Sequence, residues 1–274
     1  MLKLPLLSAL LFLVGCASWS HHDPAQDTLL AQMRHGDSWK QIHAAEALLR
    51  CQAQPEEMRT LFEGRLRESV PGSPWRVGCL RVLYRLCPER REAIADTLLQ
   101  MAMNDTCPGR VHAIETAAKL NLKAEATLLE NLRQLKPEDG LAFGYGLSLR
   151  AINGDAEARA QLLQLAEQGD VTAAFGLTLL PGRLQPAEHQ RVLTAAQQPA
   201  LTGRALTFLC QRLHQDGAPR ETVTARLMTS LDILAACEAT LSPTERTWLE
   251  NLLKSPEPAE RIAAAEGLLR LHEP

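Results

Sequence analysis

The sequence predicts an all-α protein, an α-solenoid of about seven or eight antiparallel helix pairs. Three observations carry that expectation. Of 274 residues, 46% are hydrophobic but only 4% aromatic, with Ala and Leu throughout and few β-branched runs that could alternate as strands. Prolines from Pro55 to Pro258 fall between apolar-periodic segments, where they mark helix boundaries rather than interiors, at a spacing that gives about fifteen short helices. Finally, the phrase IHAAEALLR, Ile42 to Arg50, returns 220 positions later as IAAAEGLLR, Ile262 to Arg270, with seven of nine letters unchanged.

The chain opens MLKLPLLSALLFLVGCASWS, with Lys3, a mostly apolar run from Leu4 to Val14, and then small residues. That layout is a signal peptide, too short and too abruptly ended for a permanent membrane span. Leu13-Val14-Gly15-Cys16 resembles the bacterial lipobox. The resemblance implies cleavage before Cys16 and acylation of Cys16, including palmitate, with several acyl chains because one holds a protein only marginally. With Ala17 and Ser18 next instead of Asp, it also implies an outer-membrane lipoprotein facing the periplasm. Residues 1–15 are then signal peptide, 16–26 a lipidated tether and 27–274 the solenoid. His21-His22-Asp23 on the tether reads as solvated. The formal charge is −3, and removing Lys3 makes it more negative, so nucleic acid is not an expected partner.

Within the solenoid, Ile42 anchors a first helix, with Ser38 as its expected N-cap and Trp39, Ala44, Ala45, Leu48 and Leu49 continuing the face. Val77 anchors a second copy, capped by Ser73, and Val111 a third, at spacings of 35 and 34 residues. Gly146-Leu147-Ser148-Leu149 recurs as Gly176-Leu177-Thr178-Leu179 at a spacing of 30. Beyond Leu180 the register blurs, with helices expected near Thr202–His214 and Glu221–Cys237 before the last copy at Ile262. The paired alanines and Gly144, Gly146 and Gly176 are small where backbones approach, a contact that can outweigh the roughly 1 kcal/mol of helix propensity each Gly loses.

The copies WKQIHAAEALLR, GRVHAIETAAKL and AERIAAAEGLLR resemble the second helix of bacterial HEAT-like repeats. The resemblance implies stacked helix pairs in a right-handed solenoid. Residues 154–180 are also similar to tetratricopeptide or Sel1-like repeats through the "AEQGD" turn and the "GL" helix that follows. Either family is an α-solenoid, and solenoids expose long concave surfaces to protein or peptide partners.

Candidate chemistry is sparse. His43 with Glu46, and His112 with Glu115, sit three apart on one helix face, a geometry used by di-metal sites in bundles. A HEAT-like metal enzyme built on these pairs is the alternative to a non-catalytic scaffold; a structural accessory subunit of an envelope complex is another. The Glu recurs at Glu266, where Ala263 replaces the His, so it belongs to the repeat. The two pairs are also expected two repeats apart, on the order of 20 Å. No phosphate loop, nucleophile elbow or zinc spacing is present, and no metal or cofactor is expected. Arg76, Arg81, Arg85, Arg90 and Arg91, with Glu89 and Glu92 among them, read as a solvated, salt-bridged face. His189, His214 and His272 are expected at helix C-terminal ends. For an exported chain, cysteines at matching depth in successive helices give candidate disulfides Cys51 with Cys87, Cys79 with Cys107, and Cys210 with Cys237. The expected function is a lipid-anchored scaffold for a protein or peptide partner in the cell envelope.

Overall fold

The computed structural model describes residues 23–219, 222 and 243–270. The signal peptide, Cys16, most of the tether, Cys237 and His272 lie outside the described residues, as does nearly all of the helix expected at Glu221–Cys237. What is described is all-α, in seven helix pairs. The first four are α1 (Pro24–His35) with α2 (Ser38–Arg50), α3 (Pro55–Glu68) with α4 (Pro74–Leu86), α5 (Arg91–Met103) with α6 (Arg110–Lys119), and α7 (Ala126–Arg133) with α8 (Leu141–Ile152). They are followed by α9 (Ala156–Glu167) with α10 (Val171–Leu179), α11 (Pro186–Gln197) with α12 (Gly203–Gln215), and α13 (Pro243–Leu252) with α14 (Pro258–Arg270). Among the described residues no helix is long and apolar enough to cross a membrane.

Local chemistry sets the boundaries. Pro24, Pro55, Pro74, Pro186, Pro243 and Pro258 each open a helix, where the missing N–H has no intrahelical partner to lose. Asp155 and Asp170 cap α9 and α10 by accepting from backbone N–H groups, and Ser73 caps α4 by accepting from Arg76 N at 3.2 Å. The expected Ser38 cap is corrected: Asp37 precedes α2, without a side-chain cap bond, and Ser38 is already the first helical residue.

The even-numbered helices pack directly on one another from α2 to α12, whereas few odd-numbered neighbours meet closely. The even helices therefore form the inside of a curve. Composition explains the difference. On the inside, a Cβ on Gly144 would sit 2.6 Å from Thr172 Cγ2, one on Gly78 2.9 Å from Ile42 Cδ1, and one on Gly176 would run into the Ser148 hydroxyl. Ala44, Ala45, Ala113, Ala117, Ala173 and Ala174 are fully buried on these same helices. On the outside, long pairs bridge wider gaps: Arg34 to Glu57 between α1 and α3, Arg159 to Glu188 and Arg191 to Glu167 between α9 and α11.

The first and last described helix pairs meet. Helix α14 packs on α1 and α2 as α8 packs on α9 and α10, so the last layer continues the repeat register into the first. The recurring phrase lies at this junction. Glu266 receives a two-pronged contact from Arg50, Nη2 to Oε2 at 2.7 Å, and Glu46, its counterpart in α2, is held by Arg85 of α4, Nη1 to Oε1 at 3.0 Å. Relative to Ile262, Ile42 and Val77, this is one contact made twice: the Glu four residues on binds the Arg eight residues on in the next layer.

Two stability predictions follow from this packing. Gly144→Ala should destabilise by about 1–3 kcal/mol, because stiff, β-branched Thr172 cannot swing away and the overpacking outweighs the propensity gained. Gly64→Ala, mid-helix in α3 with only Arg67 Nη2 at 3.9 Å from its Cβ, should instead stabilise by about 0.5–1 kcal/mol. Urea unfolding decides, and equal effects would refute the inner-layer assignment. Secondly, a double-mutant cycle of Arg50→Gln with Glu266→Gln should give a coupling of about 0.5–1 kcal/mol that shrinks in high salt. A coupling of zero would mean that the first and last layers do not meet in solution.

Candidate functional site

The inside of the curve carries a band of charged and aromatic side chains drawn from six helices. Helix α2 contributes Trp39, His43, Glu46 and Arg50, spaced along one face; α4 contributes Arg81 and Arg85; α6 contributes His112, Glu115 and Lys119. Tyr145, Phe175 and Phe208 extend the band over α8, α10 and α12. Side chains two layers apart touch: the Trp39 ring lies 4.8 Å from His112, and Lys119 Nζ sits 5.2 Å over Phe175. Such contacts skip an intervening helix, which is possible only where layers converge. Gly78 allows the first of them, since Trp39 Cζ3 would lie 3.2 Å from a Cβ there.

Glu46 is the centre of the polar half. Arg81 Nε approaches its Oε1 at 2.8 Å and Arg81 Nη2 its Oε2 at 3.1 Å, Arg85 takes Oε1, and His43 Nδ1 stands 3.6 Å from Oε2. Burial alone would raise this carboxyl, but the His43 contact and the charges of Arg81, Lys119 and Arg85 hold it well below the ordinary range. Arg81 is 1% exposed, also reaches Thr116 Oγ1 at 3.4 Å, and lies 6.0 Å under the Trp39 ring. A buried guanidinium is tolerable because Glu46 matches its charge and Nη1 and Nη2 find acceptors, although Nε makes no hydrogen bond; removing Glu46 alone would leave it uncompensated.

Glu115 repeats the theme on α6. Burial pushes it up, yet His112 and Lys119, whose Nζ is 2.6 Å from Oε1, bring it down to about 2. Lys119 in turn is held below its usual range by burial and by the Arg81 charge. Tyr145 is pushed up to about 12, by burial and then by the Glu115 charge, so its hydroxyl stays a neutral donor. Among the described residues that hydroxyl makes no hydrogen bond of its own. Phe175 stands edge-on to Tyr145 at 6.3 Å and 5.2 Å from Phe208.

Several expectations are corrected by this geometry. Both His–Glu pairs exist, but their imidazoles lie within 6.4 Å of the single Trp39 ring, far closer than two straight repeats allow. Their carboxylates face guanidinium and ammonium groups, and among the described residues no three His, Cys, Asp or Glu side chains converge as metal ligands. The arginine group is not one solvated face. Arg81 is buried, Arg76 reaches the Leu66 carbonyl and Ser69, Arg90 pairs with Glu63, and Arg91 donates to the Tyr84 carbonyl. His189 lies in the first turn of α11, not at a C-terminal end, with Nδ1 3.5 Å from Asp216; His214 does occupy the last turn of α12.

Cys51, Cys79, Cys87, Cys107 and Cys210 are thiols in this structure. Neither Cys51 with Cys87 nor Cys79 with Cys107 is bonded: Cys107 Sγ donates to the Gly72 carbonyl at 3.3 Å, and burial pushes the Cys79 thiol up to about 12. Cys237, the expected mate of Cys210, lies outside the described residues.

Sequence reasoning missed the aromatic half of the band, although a signal was present. Tyr145 and Phe175 each stand immediately before a repeated glycine, Gly146 and Gly176. In a chain with so few rings, two at equivalent repeat positions mark a shared surface. A separate depression of about 580 Å³ is lined by Gln164, Glu167, Gln168, Gln198, Leu201 and Thr202, away from this band. No family model, curated protein or solved structure matches the chain.

The depressed carboxyl predicts a pH dependence. Glu115 contributes stability above its unfolded value of about 4.3, and this contribution disappears as the pH falls through its folded value of about 2. Wild type should therefore exceed Glu115→Gln in stability at pH 7, and the gap should narrow steadily from pH 5 to pH 2. Urea titrations at several pH values test this; a constant gap would show that the carboxylate is not held by His112 and Lys119.

Proposed function

We propose that this protein is a lipid-anchored, HEAT-like scaffold of the bacterial envelope, tethered through acylated Cys16, that holds a segment of a protein partner against its inner face without catalysis. The observation that carries the reading is the band from Trp39 to Phe208, half-buried rings and charges continuous over six helices. Rings of this kind give large contact area at small entropic cost and are favoured at interfaces. A scaffold needs no chemistry from the carboxylates, and Glu46 and Glu115 are both occupied by cations instead of being aimed at open space. The anchor is supported by the apolar run ending at Val14-Gly15-Cys16.

Photo-crosslinking in cells tests the reading. A benzophenone amino acid at Phe208, on the inner face, should trap one discrete protein; the same group at Gln190, exposed on outer helix α11, should trap none. Equal trapping from both positions would move the interface off the inner face. Cys16→Ser should abolish palmitate labelling and release the protein from membranes; retention of either would refute the anchor. Metal analysis of the purified chain separates the enzyme alternative, since stoichiometric metal lost on replacing His43 or His112 would favour it.

A further inference from the structure

Resting on the scaffold reading, we propose that the inner face recognises a peptide segment carrying an acidic side chain followed, about three residues on, by an aromatic or long apolar one. The acidic group would meet Arg85 and Lys119, and the apolar one Phe175 and Phe208.

Charge supports the first half. On the inner face of α4 and α6 and the middle of α2 stand three permanent cations, Arg81, Arg85 and Lys119, against two carboxylates, Glu46 and Glu115. Arg50 does not alter the balance, because Glu266 takes its guanidinium. Arg81 and Arg85 share Glu46, and Arg85 spends only Nη1 on it while remaining 32% exposed, so the rest of its planar fork is open to a second carboxylate. Burial and the neighbouring charges of Arg81 and Arg50 outweigh the pull of Glu46 and hold Arg85 below its usual range. The three cations against two carboxylates leave one positive charge in excess, which an arriving carboxylate would balance.

Spacing and the rings supply the second half. Lys119 Nζ lies 5.2 Å from the Phe175 ring, and that ring 5.2 Å from Phe208. The cationic end is thus at most about 10 Å from the last ring, the reach of about three residues of polyproline-II chain at roughly 3.1 Å each, whose three residues per turn bring positions i and i+3 to one face. The neutral Tyr145 hydroxyl, with no partner of its own among the described residues, stands beside this path as a donor for a backbone carbonyl. A fatty acyl chain would want an enclosed apolar channel, whereas these rings are half-exposed and interrupted by charge.

Fluorescence anisotropy with the full chain in mild detergent tests the proposal. The probe is a labelled Ser-Asp-Thr-Ser-Phe-Leu-Ser amide, compared with versions in which the Asp is Asn or the Phe is Ser. The Asp peptide should bind saturably and at least tenfold more tightly than either, with affinity falling as salt rises. Arg85→Gln should abolish that preference. Arg90→Gln, which removes an outer cation bound to Glu63, should leave it unchanged, and circular dichroism melts of both variants confirm folding. Equal affinity for the Asp and Asn peptides, indifference to Arg85→Gln, no saturable binding up to millimolar peptide, or binding of dodecanoate in place of peptide each overturns the proposal. If crosslinking from Phe208 still traps one protein, the scaffold reading survives that failure; if it also traps nothing, both readings fall.

Discussion

The close approach of the inner helices is the constraint on which the remaining structure depends. Where Gly144 faces Thr172, Gly78 faces Ile42 and Gly176 faces Ser148, no room exists for a side chain, and the flanking alanines extend that closeness along each helix. Small residues inside and long Arg–Glu pairs outside make each layer a wedge. Stacked wedges curve, and the curvature brings Trp39 to His112 and Lys119 to Phe175 across an intervening helix. The band of charge and aromatic surface is therefore a product of the same few methyl-sized vacancies that define the core.

Convergence also concentrates charge, and this explains the ionic arrangement. Four cations and three carboxylates from α14, α2, α4 and α6 cannot avoid one another on a shrinking inner face, so each Glu is assigned to the following layer's Arg or to its own helix's Lys. Paired in this way, a buried guanidinium such as Arg81 adds little net stability but opposes misregister, since sliding one layer would leave it unmatched. Elsewhere the layers are tied by backbone-directed contacts. Ala124 N donates to Asn153 Oδ1 and Leu184 N to Asp216 Oδ1, each joining the loop after one inner helix to the residue after the next. Arg212, 1% exposed, donates to the carbonyls of Leu177, Leu180 and Gly182 at the end of the preceding inner helix.

What could be read from the sequence was whatever repeats locally. The proline boundaries, the buried faces at Ala44-Ala45 and Ala264-Ala265, the Ser73 cap and the close-packed glycines all follow from short-range pattern, and all are present. Curvature is not local. It is a small rotation per layer, accumulated, so an estimate from straight stacking placed His43 and His112 too far apart, and the solvated reading of Arg81 ignored which side of the curve it faces. Asp216 shows the same limit: it draws Arg212, His189 and Leu184 together from three separate segments, and nothing in its own surroundings announces that. Tyr145 and Phe175 were legible in principle through their neighbouring glycines; Phe208 was not, because the repeat register is lost before it.

The junction of α14 with α1 and α2 gives the repeated phrase a physical meaning that similarity alone does not supply. In an open stack, the first and last layers each expose an apolar face and need atypical, polar sequences to cap them. Here the first and last described layers keep the interior pattern, Ala44 and Ala45 in one and Ala264 and Ala265 in the other, all fully buried, with α14 packed on α1 and α2. Interior-type sequence in both layers is what such a contact requires, and the Arg50 to Glu266 pair reproduces the interior Arg85 to Glu46 contact across it. The inner band is consequently bounded on the α2 side by protein and not by solvent, which lowers the local dielectric around Glu46 and Arg85 and strengthens every charge contact made there. Any charge contact made at Arg85 gains from a field that the packing of α14 on α1 and α2 helps to create.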